Sequence, residues 1–320
     1  MSVSTRRPWG ALAAVLAVVA AVACTAPPPA GCASGTRPAT VPASSPWADV
    51  LCRQTSQKPP PSLNGVVYRD GLLWMASLVG GELVVADAAS GEMVGRFGPD
   101  QGIGTGPDDL AMTADGTVYW SGWTTGEVGK LAPGARSRAL ANVGGGVNPV
   151  VLGADGGVYV SRLFTGMGLY RIDPATGAVR VLSPGVAVNA FGFGPDGAIY
   201  GPTGLTLPSR LVRVDPSTGR STRVTSVPGL LGSSVRFPPA VRGEAPTTAY
   251  VLTSTAPVSV LRIDVTTGRK VAPDIRLPLT LADNIAFAPD GRMFVTGFTE
   301  PAVAVVETDG RARKVAIGRM

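Results

Sequence analysis

Oxygen-bearing side chains recur at one fixed place in a repeated pattern of this sequence. Seven positions before the aspartate of four Asp-Gly dipeptides stand Asp108, Asn148, Asn189 and Asp283. Carboxylate and amide oxygens are the ligands that hard divalent cations prefer. The same residue types ahead of a strand also cap turns or accept hydrogen bonds from exposed backbone, and that structural interpretation stays open.

The two other repeats have no Asp or Asn at the equivalent position. Leu63 occupies it in the first repeat, and the weak fifth repeat offers only the neighbourhood of Ser233 and Ser234. A cation site therefore depends on a fold that brings the four other positions together.

The Asp-Gly dipeptides are each followed by apolar residues and close on an aromatic residue. The closing aromatics are Trp74, Tyr119, Tyr159, Tyr200, Tyr250 and Phe294, spaced 40 to 50 residues apart. This spacing is typical of the blades of a β-propeller. The Asp-Gly residues themselves are turn residues.

A second turn alternates with the first, as in Leu169-Tyr170-Arg171-Ile172-Asp173 followed by Pro174-Ala175-Thr176-Gly177. An alternating run closed by such a turn indicates a strand and a hairpin. The two turns alternate six times, so we predict an all-β, six-bladed β-propeller with four antiparallel strands per blade over residues 63–320. The loops that precede each first strand share one face, at the mouth of the central channel.

Composition supports this class and excludes several functions. Apolar residues make up 45% of the 320 residues and charged residues 16%, with 42 Gly and 29 Pro. The net charge of +6 includes Arg6 and Arg7 of the leader. The remaining charge of about +4 contains no basic cluster, so we expect no nucleic-acid partner. Because the chain has no His, a Ser-His-Asp triad or His-ligated zinc is impossible.

Residues 1–23 have the order of a signal peptide: Arg6 and Arg7, then an apolar run from Ala11 to Ala23. Ala21-Val22-Ala23-Cys24 resembles a bacterial lipoprotein box, in which Cys24 is lipidated; it also fits an ordinary cleavage site. We predict an exported protein, either a cell-envelope lipoprotein or a secreted one. Contact with a membrane is expected only through the lipid anchor.

Lipidation of Cys24 leaves Cys32 and Cys52 as an even pair, which favours a disulfide between them in an oxidising compartment. Residues 24–62 are rich in Pro, Ala, Ser and Thr, and this composition predicts a tether between the anchor and the propeller. A Cys32 to Cys52 bridge would hold its middle and pin Trp47 and Leu51 to the domain.

The pattern of the sequence repeats resembles that of the senescence marker protein/gluconolactonase/luciferin-regenerating-enzyme-like family of six-bladed propellers. The resemblance is carried by stretches such as Asn189-Ala190-Phe191-Gly192-Phe193-Gly194-Pro195-Asp196-Gly197 and extends over nearly all of residues 64–317. Members hold one divalent metal over the channel with a Glu, two Asn and an Asp, and many hydrolyse lactones or related esters.

Carried over residue by residue, the resemblance implies that Asp108, Asn148, Asn189 and Asp283 hold one divalent cation. Two carboxylates and two amide oxygens favour Ca²⁺, with Zn²⁺ or Mn²⁺ possible. The Glu of the family stands in its first blade, where this chain has Leu63-Asn64. In this chain Asp283 of the last blade takes the place of the Glu, and the second, third and fourth blades after it supply Asp108, Asn148 and Asn189. The pattern therefore matches that of the family after rotation by one blade.

This resemblance implies a hydrolase of small-molecule lactones or esters. The ion would polarise the carbonyl, and Asp283 or Asp108 would act as general base on a water molecule. Asp109 and Asn284, one residue further along, would support the ligands.

The loops that follow the second strand of each blade would form the sides of the site. Arg162 could pair with an anionic substrate group, and Trp123, Phe164 or Phe298 could contact an apolar one. Each of these residue types in such a loop is more often involved in simple loop packing.

Two other functions fit the same sequence. One is a non-catalytic propeller lipoprotein that binds a ligand or a protein partner, because fold alone does not settle function. The other is a propeller enzyme of secondary metabolism that catalyses cyclisation or condensation. Propeller enzymes of the paraoxonase and streptogramin lyase types depend on His and are not expected here. The sequence predicts no oligomeric state.

Overall fold

Tight turns and alternating apolar residues fold this chain into small antiparallel sheets. The structure, a computed structural model, describes residues 37–203, 208–228, 232–254 and 257–319. Within these ranges there are six sheets, each of four strands that are consecutive in the chain. The predicted all-β six-bladed propeller is therefore confirmed.

Each blade begins at the central channel and ends at the rim. Blade 1 contains β1 (Val66–Arg69), β2 (Leu72–Ser77), β3 (Glu82–Asp87) and β4 (Met93–Phe97), and blade 2 contains β5 (Pro107–Met112), β6 (Val118–Gly122), β7 (Glu127–Leu131) and β8 (Arg138–Asn142). Blade 3 contains β9 (Val147–Leu152), β10 (Val158–Arg162), β11 (Gly168–Ile172) and β12 (Val179–Pro184), and blade 4 contains β13 (Gly192–Phe193), β14 (Ile199–Pro202), β15 (Ser209–Val214) and β16 (Ser221–Val227). Blade 5 contains β17 (Gly232–Arg236), β18 (Thr248–Thr253), β19 (Ser259–Asp264) and β20 (Arg269–Arg276), and blade 6 contains β21 (Ala282–Phe287), β22 (Met293–Gly297), β23 (Ala302–Val306) and β24 (Ala312–Ala316).

The Asp-Gly turns join the first two strands of a blade. In blade 2 the Asp115 carboxylate accepts a hydrogen bond from the Thr117 amide at 3.1 Å, and the Gly116 amide donates to the Thr113 carbonyl at 3.0 Å. Gly116 has a φ of 85°, a left-handed conformation that glycine adopts without strain. The hairpins made by these turns lie on the face opposite the candidate site.

In two blades the turn aspartate also ties its hairpin to the third strand. Asp155 accepts hydrogen bonds from the Tyr159 hydroxyl at 3.1 Å and from Arg171 Nε at 2.7 Å. The same contacts recur in blade 4 between Asp196, Tyr200 and Arg213. An acid, a tyrosine and an arginine therefore form a triad that fixes three strands of the blade.

Blade 5 keeps this triad although its first hairpin is longer and has no Asp-Gly. Glu244 accepts a hydrogen bond from the Tyr250 hydroxyl at 2.6 Å and lies 3.3 Å from Arg262 Nη1. Burial and the hydrogen bond to Glu244 raise the pKa of Tyr250 to about 12, so the phenol remains a hydrogen-bond donor. The repeat that was weakest in sequence thus retains the same internal support.

Blades 1 and 6 close the ring through packing. Met75 and Val84 of blade 1 share one buried cluster with Phe294 and Val303 of blade 6, and Tyr68 stacks on Phe294 with ring centroids 5.3 Å apart. Because the four strands of blade 6 are consecutive, the ring closes without a strand from the N-terminal segment, as the sequence predicted.

Part of the segment predicted as a tether lies against the propeller. Trp47 is buried and packs on Trp74 and Phe97, at centroid distances of 4.7 and 5.4 Å. Its indole N–H donates to the Gly116 carbonyl of blade 2 at 2.8 Å. The segment therefore bridges two blades.

The same segment then covers the outer edge of blade 1. Leu51 is fully buried, and the Gln57 amide pairs with both backbone groups of Met93, accepting at 2.8 Å and donating at 3.0 Å. The Arg319 amide donates to the Gln57 carbonyl at 2.7 Å. The composition of residues 24–62 predicted a tether, and this part of it is ordered because Trp47 and Leu51, the two residues expected to be pinned to the domain, supply buried apolar surface.

Several predicted features fall outside the described residues. These are the signal peptide over residues 1–23, Cys24 and Cys32. Cys52 is disulfide-bonded, and the partner assignment to Cys32 stays a prediction. Among the residues that the structure describes, no helix is long and apolar enough to span a bilayer.

We expect Trp47→Ala to lower the free energy of unfolding by about 3 to 5 kcal/mol, because it leaves a large cavity between two blades. Chemical denaturation followed by fluorescence measures the change. Val79→Ala is the control, since Val79 is 69% exposed and its truncation should change stability little. Equal stability of the two variants would mean that the segment does not support the ring.

Candidate functional site

β-Bulges interrupt the innermost strands at the positions singled out in the sequence. Pro107 pairs with Gly122 and Asp109 with Ser121, so Asp108 is an extra residue in β5. Equivalent register shifts occur between Val147 and Val150, Gly232 and Ser234, and Ala282 and Ile285. A bulge breaks the alternation of side chains, which lets two successive residues of one strand serve the channel mouth.

Three carboxyl groups interact there: Asp108 and Asp109 of blade 2 and Asp283 of blade 6. Asp108 and Asp109 are buried, with 3% and 1% of their surface exposed, and Asp283 is partly exposed. Asp108 and Asp283, both singled out in the sequence, therefore lie close enough to interact, and their role as metal ligands stays a prediction.

Asp108 is only half satisfied by hydrogen bonds. Its Oδ1 accepts a hydrogen bond from Asn64 Nδ2 of blade 1 at 3.0 Å. Its Oδ2 is buried and has no hydrogen-bond partner among the described residues. A buried carboxylate oxygen without a donor is costly, so this atom is the clearest indication that something positively charged or proton-bearing belongs there.

Burial raises the pKa of all three acids, and repulsion between carboxylates adds to the rise at Asp108 and Asp283. Burial, followed by the charges of Asp283 and Asp109, raises the pKa of Asp108 well above its ordinary value. Burial and the charge of Asp109 raise the pKa of Asp283 to about 7, while the Ser233 hydroxyl and Arg236 oppose the rise. Burial raises the pKa of Asp109 to about 6, against the charge of Arg236. The cluster therefore holds more negative charge than its surroundings balance.

Asp109 and Asn284 form a hydrogen-bonded pair across the channel. Asn284 Nδ2 donates to Asp109 Oδ1 at 3.0 Å, and Asp109 also accepts from the Leu110 and Val150 amides. Gly65 makes room for this carboxylate, because a Cβ at that position would lie 2.1 Å from Asp109 Oδ1. The pair joins blades 2 and 6 directly behind Asp108 and Asp283.

Two serines line the side of Asp283. The Ser254 hydroxyl donates to Ser233 Oγ at 2.6 Å, and the Ser233 hydroxyl reaches Asp283 Oδ1 at 3.5 Å. Both serines are buried. Blade 5, which offered only serines in sequence, thus contributes hydroxyl groups in place of a carboxylate or amide.

The two predicted asparagine ligands differ. Asn148 is 9% exposed, and its side chain makes no hydrogen bond to another described residue. The Asn189 Oδ1 instead accepts a hydrogen bond from the Ala190 amide at 3.0 Å, which is the turn-capping role that the sequence left open. Asn148 has the freer amide oxygen of the two.

Three of the predicted wall residues lie together beside the mouth, on blades 2 and 3. Trp123 and Phe164 contact edge to face with centroids 5.2 Å apart. Arg162 donates to the Gly145 carbonyl, with Nη2 at 3.3 Å. Phe298 is set apart on blade 6, where its amide donates to the Leu281 carbonyl at 2.8 Å.

Sequence reasoning missed Asn64 and Arg236. Asn64 stands six rather than seven residues before Asp70, and Arg236 lies in the blade that lacks the Asp-Gly dipeptide. Arg236 Nη2 donates to Asn284 Oδ1 at 3.1 Å and Nη1 to the Phe191 carbonyl at 2.6 Å. An arginine at a position where all five other inner strands carry Ala, Gly or Val was the only sequence signal.

Within the described ranges, no three His, Cys, Asp or Glu side chains converge as ligands of one metal ion.

Solved structures with similar folds include several enzymes. Regucalcin from Agrobacterium tumefaciens, described as a calcium-binding protein, is 19% identical with a TM-score of 0.59, over 75% of this chain and 83% of that one. A gluconolactonase from Xanthomonas campestris is 15% identical with a TM-score of 0.58, over 87% and 97% of the two chains. Virginiamycin B lyase from Staphylococcus aureus is 12% identical with a TM-score of 0.59, over 83% and 88%.

These likenesses confirm the resemblance seen in sequence at the level of the fold. No protein-family model matches the chain, and no curated protein matches it in sequence. At 12 to 19% identity, the similar structures do not by themselves assign an activity.

We expect the metal-free protein to lose stability as the pH rises from about 4 to about 7. The pKa of Asp283 is about 7 in the folded protein and near 3.8 as its ordinary value, so the native state binds more protons than the unfolded chain throughout this window. Above about pH 7 the contribution of this group is constant. Thermal unfolding in EDTA at a series of pH values measures the slope.

Asp283→Asn should reduce that slope, because it removes one of the two acids, Asp283 and Asp109, whose raised pKa lies in the window. Asp274→Asn is the matched control, since Asp274 pairs with Lys270 on the outer strand of blade 5 at 2.7 Å. An unchanged slope in Asp283→Asn would contradict the assignment of this titration to the channel mouth.

Proposed function

We propose that this protein is a divalent-cation-dependent hydrolase of lactones or esters that acts outside the cytoplasm. The observation that carries the proposal is the buried Oδ2 of Asp108, which has no hydrogen-bond partner among the described residues and lies beside Asp283. One cation would satisfy that oxygen and relieve the repulsion between the two carboxylates.

The residues available at the mouth suit a hard cation. Asp108, Asp283 and the Asn148 amide would hold it, with Asn189 and waters completing the shell. Asn64 orients Asp108 through its hydrogen bond at 3.0 Å. An all-oxygen set without thiolate or imidazole favours Ca²⁺, and Zn²⁺ or Mn²⁺ remain testable alternatives. When bound, the cation would polarise the carbonyl of the substrate.

Side chains of the protein would transfer the proton during hydrolysis. Asp283 is partly exposed and can accept a proton from the attacking water and return it to the leaving oxygen. The Ser233 hydroxyl and Arg236 favour its charged form, which keeps it a base. Asp109 and Asn284 hold the strand ends behind it through their hydrogen bond. Asp108 stays fixed by Asn64.

Substrate recognition is proposed at the side of blades 2 and 3. Phe164 is 46% exposed and packs on Trp123, which offers an aromatic surface to an apolar substrate group. Arg162 lies beside this pair and can turn from the Gly145 carbonyl toward an anion. A lactone that carries both an apolar portion and a carboxylate would use both features.

The solved structures with similar folds bear on the choice of chemistry. Gluconolactonase and regucalcin are among them, and this supports the hydrolase. A His→Ala variant of virginiamycin B lyase is described as catalytically inactive, and this chain has no His. Lyase chemistry that depends on His is therefore not proposed.

Export and anchoring form a separate part of the proposal. The leader over residues 1–23 and the box before Cys24 would place the protein on the cell envelope. The mass of the N-terminal peptide of the mature protein tests this, because lipidated Cys24 and a free N-terminus differ by the mass of the acyl groups.

We expect about one tightly held Ca²⁺ per chain after gentle purification, since one dication is enough to satisfy Asp108 and Asp283. Asn148→Ala and Asp283→Ala should each weaken binding by about tenfold or more. Elemental analysis and isothermal titration calorimetry measure content and affinity. Asn142→Ala is the control, because Asn142 donates to the Thr125 carbonyl on the rim.

Hydrolysis is tested on a panel of lactones and esters with added Ca²⁺, Zn²⁺ or Mn²⁺. Loss of turnover in Asp283→Asn, with the metal still bound, would support Asp283 as the base. A protein that holds the metal but hydrolyses nothing would instead be a ligand-binding propeller, and one that binds no metal would refute the proposal.

We expect Arg162→Gln to raise KM about tenfold for a lactone that carries a carboxylate, because a charge-assisted hydrogen bond is lost. KM for a neutral lactone should stay unchanged. Arg138→Gln, at an exposed site on β8, is the control. An equal effect on both substrates would mean that Arg162 serves loop packing alone.

A further inference from the structure

A positively charged side chain, that of Arg236, lies directly below the acidic cluster. The central channel contains a cavity of about 430 Å³ lined by residues of all six innermost strands. Among the described residues, Arg236 of β17 is the only charged residue in that lining. Its side chain extends toward the mouth, where it meets Asn284.

The contacts of Arg236 fix it in place. Nη1 donates to the carbonyls of Phe191 and Val235 at 2.6 and 3.0 Å, and Nη2 donates to Asn284 Oδ1 at 3.1 Å. These acceptors belong to blades 4, 5 and 6. The guanidinium is therefore held beneath the carboxylates by three blades and is not free to swing away.

Arg236 also interacts electrostatically with the acids. The charges of Asp109 and Asp283 favour its protonated form against the effect of burial, and Arg236 in turn favours the ionised forms of both acids. A guanidinium does not lose its proton in proteins. Its positive charge is a permanent part of the site.

The charges at the mouth can be counted. Asp108, Asp109 and Asp283 carry three negative charges when ionised, and Arg236 carries one positive charge. Two negative charges are left, which one divalent ion would neutralise. A trivalent ion or a second divalent ion would leave an excess of positive charge in a poorly hydrated place, which is unfavourable.

We propose that Arg236 is an internal counter-cation that sets the charge preference of the site, restricting it to one divalent ion and limiting the affinity for that ion. This inference rests on the proposed function, because it concerns the same cation. It makes Arg236 a specificity-determining residue that touches neither substrate nor metal. Its effect comes from its charge and not from its shape.

The test compares Arg236→Met, which removes the charge, with Arg236→Lys, which keeps it. Binding of Ca²⁺ is measured by calorimetry, and binding of Tb³⁺ by its luminescence. Arg242→Met is the matched control, because Arg242 also donates to a backbone carbonyl, that of Gly291, but lies at the hairpin face. Circular dichroism checks the fold of every variant.

Arg236→Met should bind Ca²⁺ about tenfold more tightly or better, since repulsion of the ion is removed. Its preference for Tb³⁺ over Ca²⁺ should rise further, because a trivalent ion is repelled more strongly by Arg236 than a divalent one. Arg236→Lys and Arg242→Met should behave like the unmodified protein. A purely structural arginine would not change the preference between ions of different charge.

If the unmodified protein binds Ca²⁺ and Arg236→Met binds it no more tightly, the inference fails and the proposed function stands. If only Arg236→Met binds Ca²⁺, the inference holds and the metal dependence of the proposed function fails. If neither binds any of the ions, both fail. Should Arg236→Met not fold, Arg236→Gln, whose amide can still donate to the Phe191 carbonyl, replaces it.

Discussion

Unbalanced negative charge at the mouth of the channel is the constraint on which the rest of this site depends. Two carboxylates on successive residues of β5 interact with a third, that of Asp283 on blade 6. The β-bulges put them there, and Gly65 leaves the space that Asp109 needs. The hydrogen bond between Asn284 and Asp109 links residues 175 positions apart in the chain, so the cluster forms only when the ring is closed. Closure of the propeller and assembly of the site are one event.

The fold was predictable because its information is local and repeated. Each Asp-Gly or Thr-Gly turn sets the pairing of two strands, and Asp115 and Gly116 show how few contacts this needs. Six repetitions of the pattern left little choice of architecture. The N-terminal segment was harder, because its order comes from Trp47 and Leu51 docking on blades that are distant in the chain.

The site was predictable only in part. A count from the turn found Asp108 and Asp283, because the bulges occur at the same distance from the turn in both blades. The count could not show that Asn189 would accept a hydrogen bond from the Ala190 amide or that Asn64, offset by one residue, would donate to Asp108. The role of Arg236 could not be predicted from the sequence for a different reason. Its role depends on where a long side chain ends, and one sequence does not contain that information.

The triad of acid, tyrosine and arginine in blades 3 to 5 has a consequence for how this chain can change. In blade 5 the acid is Glu244, which lies in a longer hairpin and still accepts hydrogen bonds from Tyr250 and Arg262. The hydrogen bonds between the acid, the tyrosine and the arginine are thus kept when the length of the loop changes. The hairpin face can therefore gain or lose residues while the inner strands keep their register. Variation in length is tolerated there, and the opposite face is left under stricter geometric control.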